Sequence, residues 1–126
     1  MLGAMKPIPA NIPEKWSWHY RALERIRDTL VSEASEHEQE SRSGPDRGGT
    51  DAGDVARELT EHDMLMAELA QEQTELTEVE AALERIRRGT YGFCEATGQP
   101  IAAARLRAVP WTRLSLAAAA LREQGR

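Results

Sequence analysis

Apolar side chains recur at helical spacing along two long stretches of the chain. In the first stretch they lie three or four residues apart, at Trp16, Tyr20, Leu23, Ile26, Leu30 and Ala34. Apolar positions at such steps line one face of an α-helix, so the pattern predicts a helix over residues 14–42. Beyond residue 34 the sequence becomes polar, and we expect this half of the helix to be polar all round and to project into solvent.

The second stretch has a seam of heptad type. Its apolar members, interrupted once by Glu72, are Leu65, Leu69, Leu76, Val79, Leu83 and Ile86. This seam predicts a helix over residues 51–88, which ends in a basic turn followed by Gly89. Three glycines and one proline within residues 44–49 predict a chain reversal before that helix. Two long helices joined by a reversal form an antiparallel coiled-coil hairpin, with its acidic tip at residues 44–56.

The remaining segments have a different character. Residues 1–13 contain three prolines and are expected to be an irregular lead-in. Residues 89–109 combine glycines with aromatic residues, which predicts a knuckle of two short strands. Pro110 then opens a final helix over residues 111–123. The predicted fold class is mainly α, with segments 1–13, 14–88 and 89–126.

Composition narrows the class of protein. Apolar residues make up 40% of the chain, aromatic residues 5% and charged residues 29%, which favours an extended helical protein. The net charge of −5 does not suit direct DNA binding. The single cysteine, Cys94, excludes an intrachain disulfide. Since we find no signal sequence and no apolar run of membrane-spanning length, we expect a cytoplasmic protein without membrane contact.

Two aspartates stand where the second helix is predicted to begin. Asp51 suits the N-cap, and Asp54 lies three residues further on, as in a capping box. Both charges would favour the positive end of the helix dipole. On the residues alone, this pair is interpreted as a structural cap.

The knuckle resembles a known signature. The letters Y-G-F-C-E-A-T-G-Q-P-I at residues 91–101 and R-L-R-A-V-P at residues 105–110 are similar to the finger of the DksA/TraR family of bacterial RNA polymerase regulators. The letters D-A-G-D-V-A at residues 51–56 fit that family's tip motif. The resemblance covers residues 14–124 and implies that the tip enters the secondary channel of RNA polymerase. Asp51, Asp54 and Ala56 would then be the partner-binding residues, although one carboxylate could cap while the other reaches outward.

The finger departs from the family's four cysteines. Cys94 is kept, while Thr97, Ser115 and Ala118 stand at the other positions. One thiol and two hydroxyls cannot supply a tetrahedral zinc site, so we expect no zinc, or at most residual binding at Cys94. We expect apolar packing to replace the zinc, and Thr97 and Ala118 to close over the vacated space. The residues predicted to pack there are Phe93, Ile101, Leu106, Trp111, Leu114 and Leu116. Cys94 is either a small buried hydrophobe or a reactive thiol.

The comparison with the family also indicates that this chain lacks a nucleotide-binding site. Some family members bind guanosine tetraphosphate together with polymerase, through basic residues whose positions here hold Glu78, Val109 and Ala119. Because phosphates need fixed positive charge, no nucleotide synergy is expected. Other basic residues, among them Arg105 and Arg113, are interpreted as surface charges or as contacts to the partner.

Two functions remain open. The first is a zinc-free transcription regulator that binds RNA polymerase through its tip and modulates initiation. The second is a helical adaptor on the same scaffold, with a different partner and with the aspartates serving only as a cap. An enzyme is not expected, because the sequence has no visible arrangement of nucleophile and base and no metal cluster.

Overall fold

Four helices account for most of the described chain. The computed structural model describes residues 7–43 and 52–125. A 3₁₀ turn at Glu14–Trp16 leads into α1 (Ser17–Ser43) and is followed by α2 (Ala52–Arg88), α3 (Ala103–Ala108) and α4 (Leu116–Gln124). The predicted class, mainly α with two long helices, is confirmed. Among the described residues, no helix is both long enough and apolar enough to span a membrane.

The chain divides into two compact units, and the first contains the finger. This unit comprises Met1–Ile26 together with Glu78–Arg126. Its helical core is formed by residues of the predicted seams, all buried: Tyr20, Leu23, Val79, Leu83 and Ile86. Arg87 near the end of α2 donates a hydrogen bond of 3.3 Å to the hydroxyl of Tyr20 near the start of α1. The two helices are therefore antiparallel in this unit.

The second unit, Arg27–Thr77, holds the continuation of both helices. Leu30, Ala34 and Leu69 are buried, as predicted. Beyond residue 34 helix α1 carries only polar residues, as predicted, and its contact with α2 continues through one of them. His37 of α1 is half-buried, and its two ring nitrogens face the carboxylates of Glu72 and Glu68 on α2. The polar interruption at Glu72 is thus met by a polar partner on the other helix.

The segment after α2 corrects two further predictions. α2 ends at Arg88 as expected, and Gly89, with a φ of +80°, follows it and breaks the helix. The knuckle has no strands in the described chain, only one antiparallel bridge between Phe93 and Pro100. The final helix begins at Leu116 instead of residue 111, because residues 109–115 form a turn held by side chains. A short helix, α3, was not predicted from the sequence.

Candidate functional site

The predicted tip is described only in part. Asp51 and residues 44–50 lie outside the described residues. Asp54 stands in the first turn of α2, with its carboxylate 3.5 Å from the guanidinium of Arg57. A negative charge in this turn interacts favourably with the helix dipole. Ala56 is exposed in the next turn of α2. The partner-binding role of the tip residues stays a prediction.

The knuckle is a tight loop closed by backbone hydrogen bonds. The N–H of Cys94 donates to the carbonyl of Gln99 at 2.8 Å, and the N–H of Gly98 donates back to the carbonyl of Cys94 at 2.8 Å. The N–H of Ile101 donates to the carbonyl of Gly92 at 2.7 Å. Gly92 and Gly98 have φ values of +94° and +73°, which side-chain-bearing residues rarely adopt. Local backbone geometry therefore presents Cys94 to the interior.

Donors of Ser115 and Thr97 lower the pKa of Cys94. The side chain is only 1% exposed. Hydrogen bonds from the backbone N–H of Ser115 and from the hydroxyl of Thr97 outweigh the effect of burial and lower the pKa of the Cys94 thiol to about 6. Donors of this kind stabilise the thiolate over the thiol. Neutral protein groups thus provide part of the stabilisation that a metal cation gives to a cysteine ligand.

At three of the four family cysteine positions the chain has Thr97, Ser115 and Ala118, and the two hydroxyls pair with backbone N–H groups. The Thr97 hydroxyl accepts a hydrogen bond from the N–H of Gln99 at 3.2 Å. The Ser115 hydroxyl accepts one from the N–H of Ala118 at 3.2 Å, and so caps the N-terminus of α4. Ala118 itself has no ligating atom. In residues 7–43 and 52–125, no group of three or more His, Cys, Asp or Glu side chains could hold a metal ion.

The apolar packing around the finger differs from the prediction. Three of the predicted residues are buried: Ile101, Leu106 and Leu114. Phe93 and Leu116, in contrast, are 52% and 69% exposed, so their predicted packing was wrong. Leu116 lies two residues before the buried Ala118, which places it on the opposite face of α4. Ala118 is buried as predicted, whereas Thr97 is exposed, with only its hydroxyl directed to Cys94.

A buried threonine organises the turn before α4. The Thr112 hydroxyl donates to the carbonyl of Leu114 at 2.9 Å and accepts from the N–H of Leu114 at 3.2 Å. Arg105 of α3 donates to the same hydroxyl at 3.2 Å and to the carbonyl of Leu114 at 2.8 Å. Arg105 is therefore an internal structural residue and not a surface charge. The sequence carried no local signal for this network, because its members meet only in the folded chain.

An aromatic cluster joins the start of α1 to the knuckle. The Trp16 ring lies edge-on to Tyr91 at 4.8 Å and to His19 at 5.1 Å, measured between centroids. Trp18 also packs against His19, at 5.1 Å, and Arg107 lies over the Trp18 ring at 4.9 Å. Burial of His19, reinforced by the positive charge of Arg107, lowers the pKa of His19. The imidazole is therefore held in its neutral form.

Tyr91 links this cluster to the turn before α4. Its side chain is 1% exposed, and its hydroxyl donates a hydrogen bond of 2.8 Å to the carbonyl of Pro110. Burial raises the pKa of Tyr91 to about 12, so the hydroxyl keeps its proton and remains a donor.

Two of the three positions compared with the family's nucleotide contacts make hydrogen bonds within the first unit. Glu78 accepts a hydrogen bond of 2.7 Å from Arg113. Val109 is the C-cap of α3, and its N–H donates to the carbonyl of Arg105 at 2.7 Å. Ala119 is half-buried within α4. The expected lack of nucleotide synergy stays a prediction.

The fold and the site define a class of protein: two long antiparallel helices followed by a finger-like turn with one cysteine. The model of the prokaryotic dksA/traR C4-type zinc finger matches residues 89–124. The structure of transcription factor DksA2 from Pseudomonas aeruginosa is similar, with a TM-score of 0.76, 28% identity, and coverage of 94% of this chain and 92% of that one. The chain belongs to the DksA/TraR family.

Curated relatives agree with this assignment. The chain is 31% identical over 102 residues to the RNA polymerase-binding transcription factor DksA of Caulobacter vibrioides, a match that covers 81% of this chain and 66% of that protein. It is 35% identical over 98 residues to general stress protein 16O of Bacillus subtilis, with coverage of 72% of this chain and 60% of that protein. The chain thus spans somewhat less than two thirds of the length of these relatives.

Proposed function

We propose that this protein is a transcription regulator that binds RNA polymerase in its secondary channel through the tip at residues 44–56. Asp51, Asp54 and Ala56 would make the functional contacts. The proposal is carried by the similarity to transcription factor DksA2, which extends along 94% of the chain and is not confined to the finger. The name of the Caulobacter relative adds RNA polymerase as the partner. The action would be cytoplasmic, where bacterial RNA polymerase works.

The protein would act by binding and not by catalysis. The acidic tip would alter the lifetime of the open complex near the polymerase catalytic centre, without a reaction of its own. Asp54 supports this role by its place in the first turn of the long helix α2, where 45% of its side chain is exposed. The name of the Pseudomonas neighbour, a transcription factor, is also consistent with a non-enzymatic function.

The finger would fold without zinc. Support comes from the use of Ser115 as a helix cap and from Ala118, which has no ligating atom. Elemental analysis of the purified protein should give less than stoichiometric metal, and chelator treatment should leave the helical signal unchanged. One tightly bound zinc per chain would contradict this part of the proposal.

The tip is tested with the D51N/D54N double variant in a competition assay on core RNA polymerase. We expect the double variant to fold and to bind core polymerase but to lose its effect on open-complex lifetime. The matched control is Asp63→Asn, which removes one exposed carboxylate from α2 outside the tip. An unchanged effect of the double variant on transcription would refute a functional tip.

The adaptor alternative predicts a different result. Asn is a good N-cap, so a purely structural Asp51 should be replaceable by Asn without loss of function. Any effect would then follow helix stability, as measured by circular dichroism. An adaptor would also fail to bind core polymerase in the same competition assay.

A further inference from the structure

Arg113, in the turn between α3 and α4, lies between two carboxylates from different parts of the first unit. Its Nε donates to Oε1 of Glu78 on α2 at 2.7 Å, and its Nη2 donates to Oε2 of Glu78 at 3.3 Å. Its Nη1 donates to Oε1 of Glu95 in the knuckle at 2.9 Å. Planar two-point pairing of a guanidinium with a carboxylate fixes direction as well as distance.

A main-chain contact adds to this pairing. The N–H of Glu95 donates to the carbonyl of Arg113 at 2.8 Å, so these two residues are joined by side chain and backbone alike. Glu95 directly follows Cys94, and Arg113 precedes the α4 cap Ser115 by two residues. Arg113 therefore connects α2, the knuckle and the start of α4. The hydrogen bonds to Glu78 and Glu95 raise its pKa, which keeps the guanidinium charged.

α2 holds the same turn at a second point. Nη2 of Arg85 donates to the carbonyls of Trp111 and Thr112 at 3.3 and 3.4 Å. Glu78 and Arg85 are seven residues apart, which places them two turns apart on one face of the helix. The turn at residues 109–115 is thus held on α2 by one carboxylate and one guanidinium.

We propose that Glu78, Arg113 and Glu95 form a latch that holds the turn before α4 on α2, and that salt opens this latch. About a third of the Arg113 and Glu78 side chains is exposed, at 34% and 35%. Ions therefore reach the pair and screen it, unlike a fully buried contact. Glu78 stands at a position where some family members have a basic residue. Here its negative charge holds Arg113.

The latch is tested by amide hydrogen exchange of residues 112–119 in the isolated protein. Arg113→Gln should speed exchange on the order of fivefold to tenfold, as expected for loss of a partly exposed, charge-assisted pair. Raising the salt concentration from 50 to 500 mM should speed exchange in the wild type and have little further effect in Arg113→Gln. The matched control is Arg88→Gln, which removes an ion pair with Glu84 within the exposed face of α2.

A double-mutant cycle separates a latch from independent contacts. If Glu78 and Arg113 act together, E78Q/R113Q should exchange no faster than R113Q alone. Additive effects, or an R113Q rate equal to that of R88Q, would overturn the proposal. If R113Q does not fold, the same exchange measurement on E78Q tests the latch, because E78Q leaves the contacts between Arg113 and Glu95 in place. The measurement needs no polymerase, so its result is independent of the proposed function.

Discussion

Gly92 offers the sharpest test of the packing between the knuckle and the first helix. Its φ is +94°, and a Cβ placed on it would lie 2.9 and 3.0 Å from two ring carbons of Trp16. Trp16 cannot withdraw freely, because its ring is packed against both Tyr91 and His19. Gly92→Ala should therefore lower the free energy of unfolding in two ways, through backbone strain and through overpacking against Trp16.

The two penalties have different sizes and can be separated. A left-handed conformation costs a residue with a Cβ roughly 1–2 kcal/mol. Overpacking of a tight site adds typically 1–3 kcal/mol. Gly89 provides the control, since its φ is +80° but a Cβ there would meet nothing within 4 Å. We expect Gly89→Ala to show only the backbone penalty, and the two variants to differ by about 1–3 kcal/mol.

Urea unfolding, followed by circular dichroism, measures both free energies. The decisive variant is Trp16→Leu, which removes the ring that a new Cβ would touch. In that background Gly92→Ala should cost no more than Gly89→Ala. The reasoning is refuted if the two alanine variants are equally stable in the wild-type background, or if Trp16→Leu leaves the difference between them unchanged.

Two further predictions concern pH. Burial and Arg107 hold the pKa of His19 below its ordinary value of 6.5, so the unfolded chain binds the proton more readily. Stability should therefore fall as the pH drops from 7 through 6.5, and His19→Phe should flatten this dependence in urea titrations between pH 5 and 7; an unchanged slope would contradict it. The Cys94 thiol, with its pKa lowered from 9.0 to about 6, should add stability as the pH rises between these values. The thiolate absorbance at 240 nm, measured against Cys94→Ser as the reference, should titrate with a midpoint near pH 6. A midpoint above pH 8 would contradict the effect of the donors on the thiol.

Much of the helical fold could be predicted from local pattern. The seam residues Leu23, Leu69, Val79 and Leu83 are buried as expected, because a periodic apolar face has few ways to leave water. The end of α2 at Gly89 was also local, since a positive φ after a basic turn needs no distant partner. These features depend on neighbours within a few residues along the chain.

The finger could not be predicted from local pattern, because its residues are held by partners that are distant along the chain. Pro110 indicated a helix start, but Tyr91, nineteen residues earlier, donates to its carbonyl and Arg85 donates to the carbonyls that follow. These bonds keep residues 109–115 in a turn and delay α4 until Ser115 provides a cap. Phe93 was predicted to be buried from its hydrophobicity alone, yet it lies in the exposed bridge opposite Pro100.

Residue type and spacing are enough to specify the long helices, the end of α2 and the absence of three of the family's cysteines. The roles of the other finger positions depend on contacts between distant parts of the chain. The tertiary structure makes Ser115 a helix cap, directs donors of Ser115 and Thr97 to Cys94 and brings Arg113 between Glu78 and Glu95. The physical reason is distance along the chain: Arg113 and Glu78 are thirty-five residues apart, and no local pattern shows that their charges will meet.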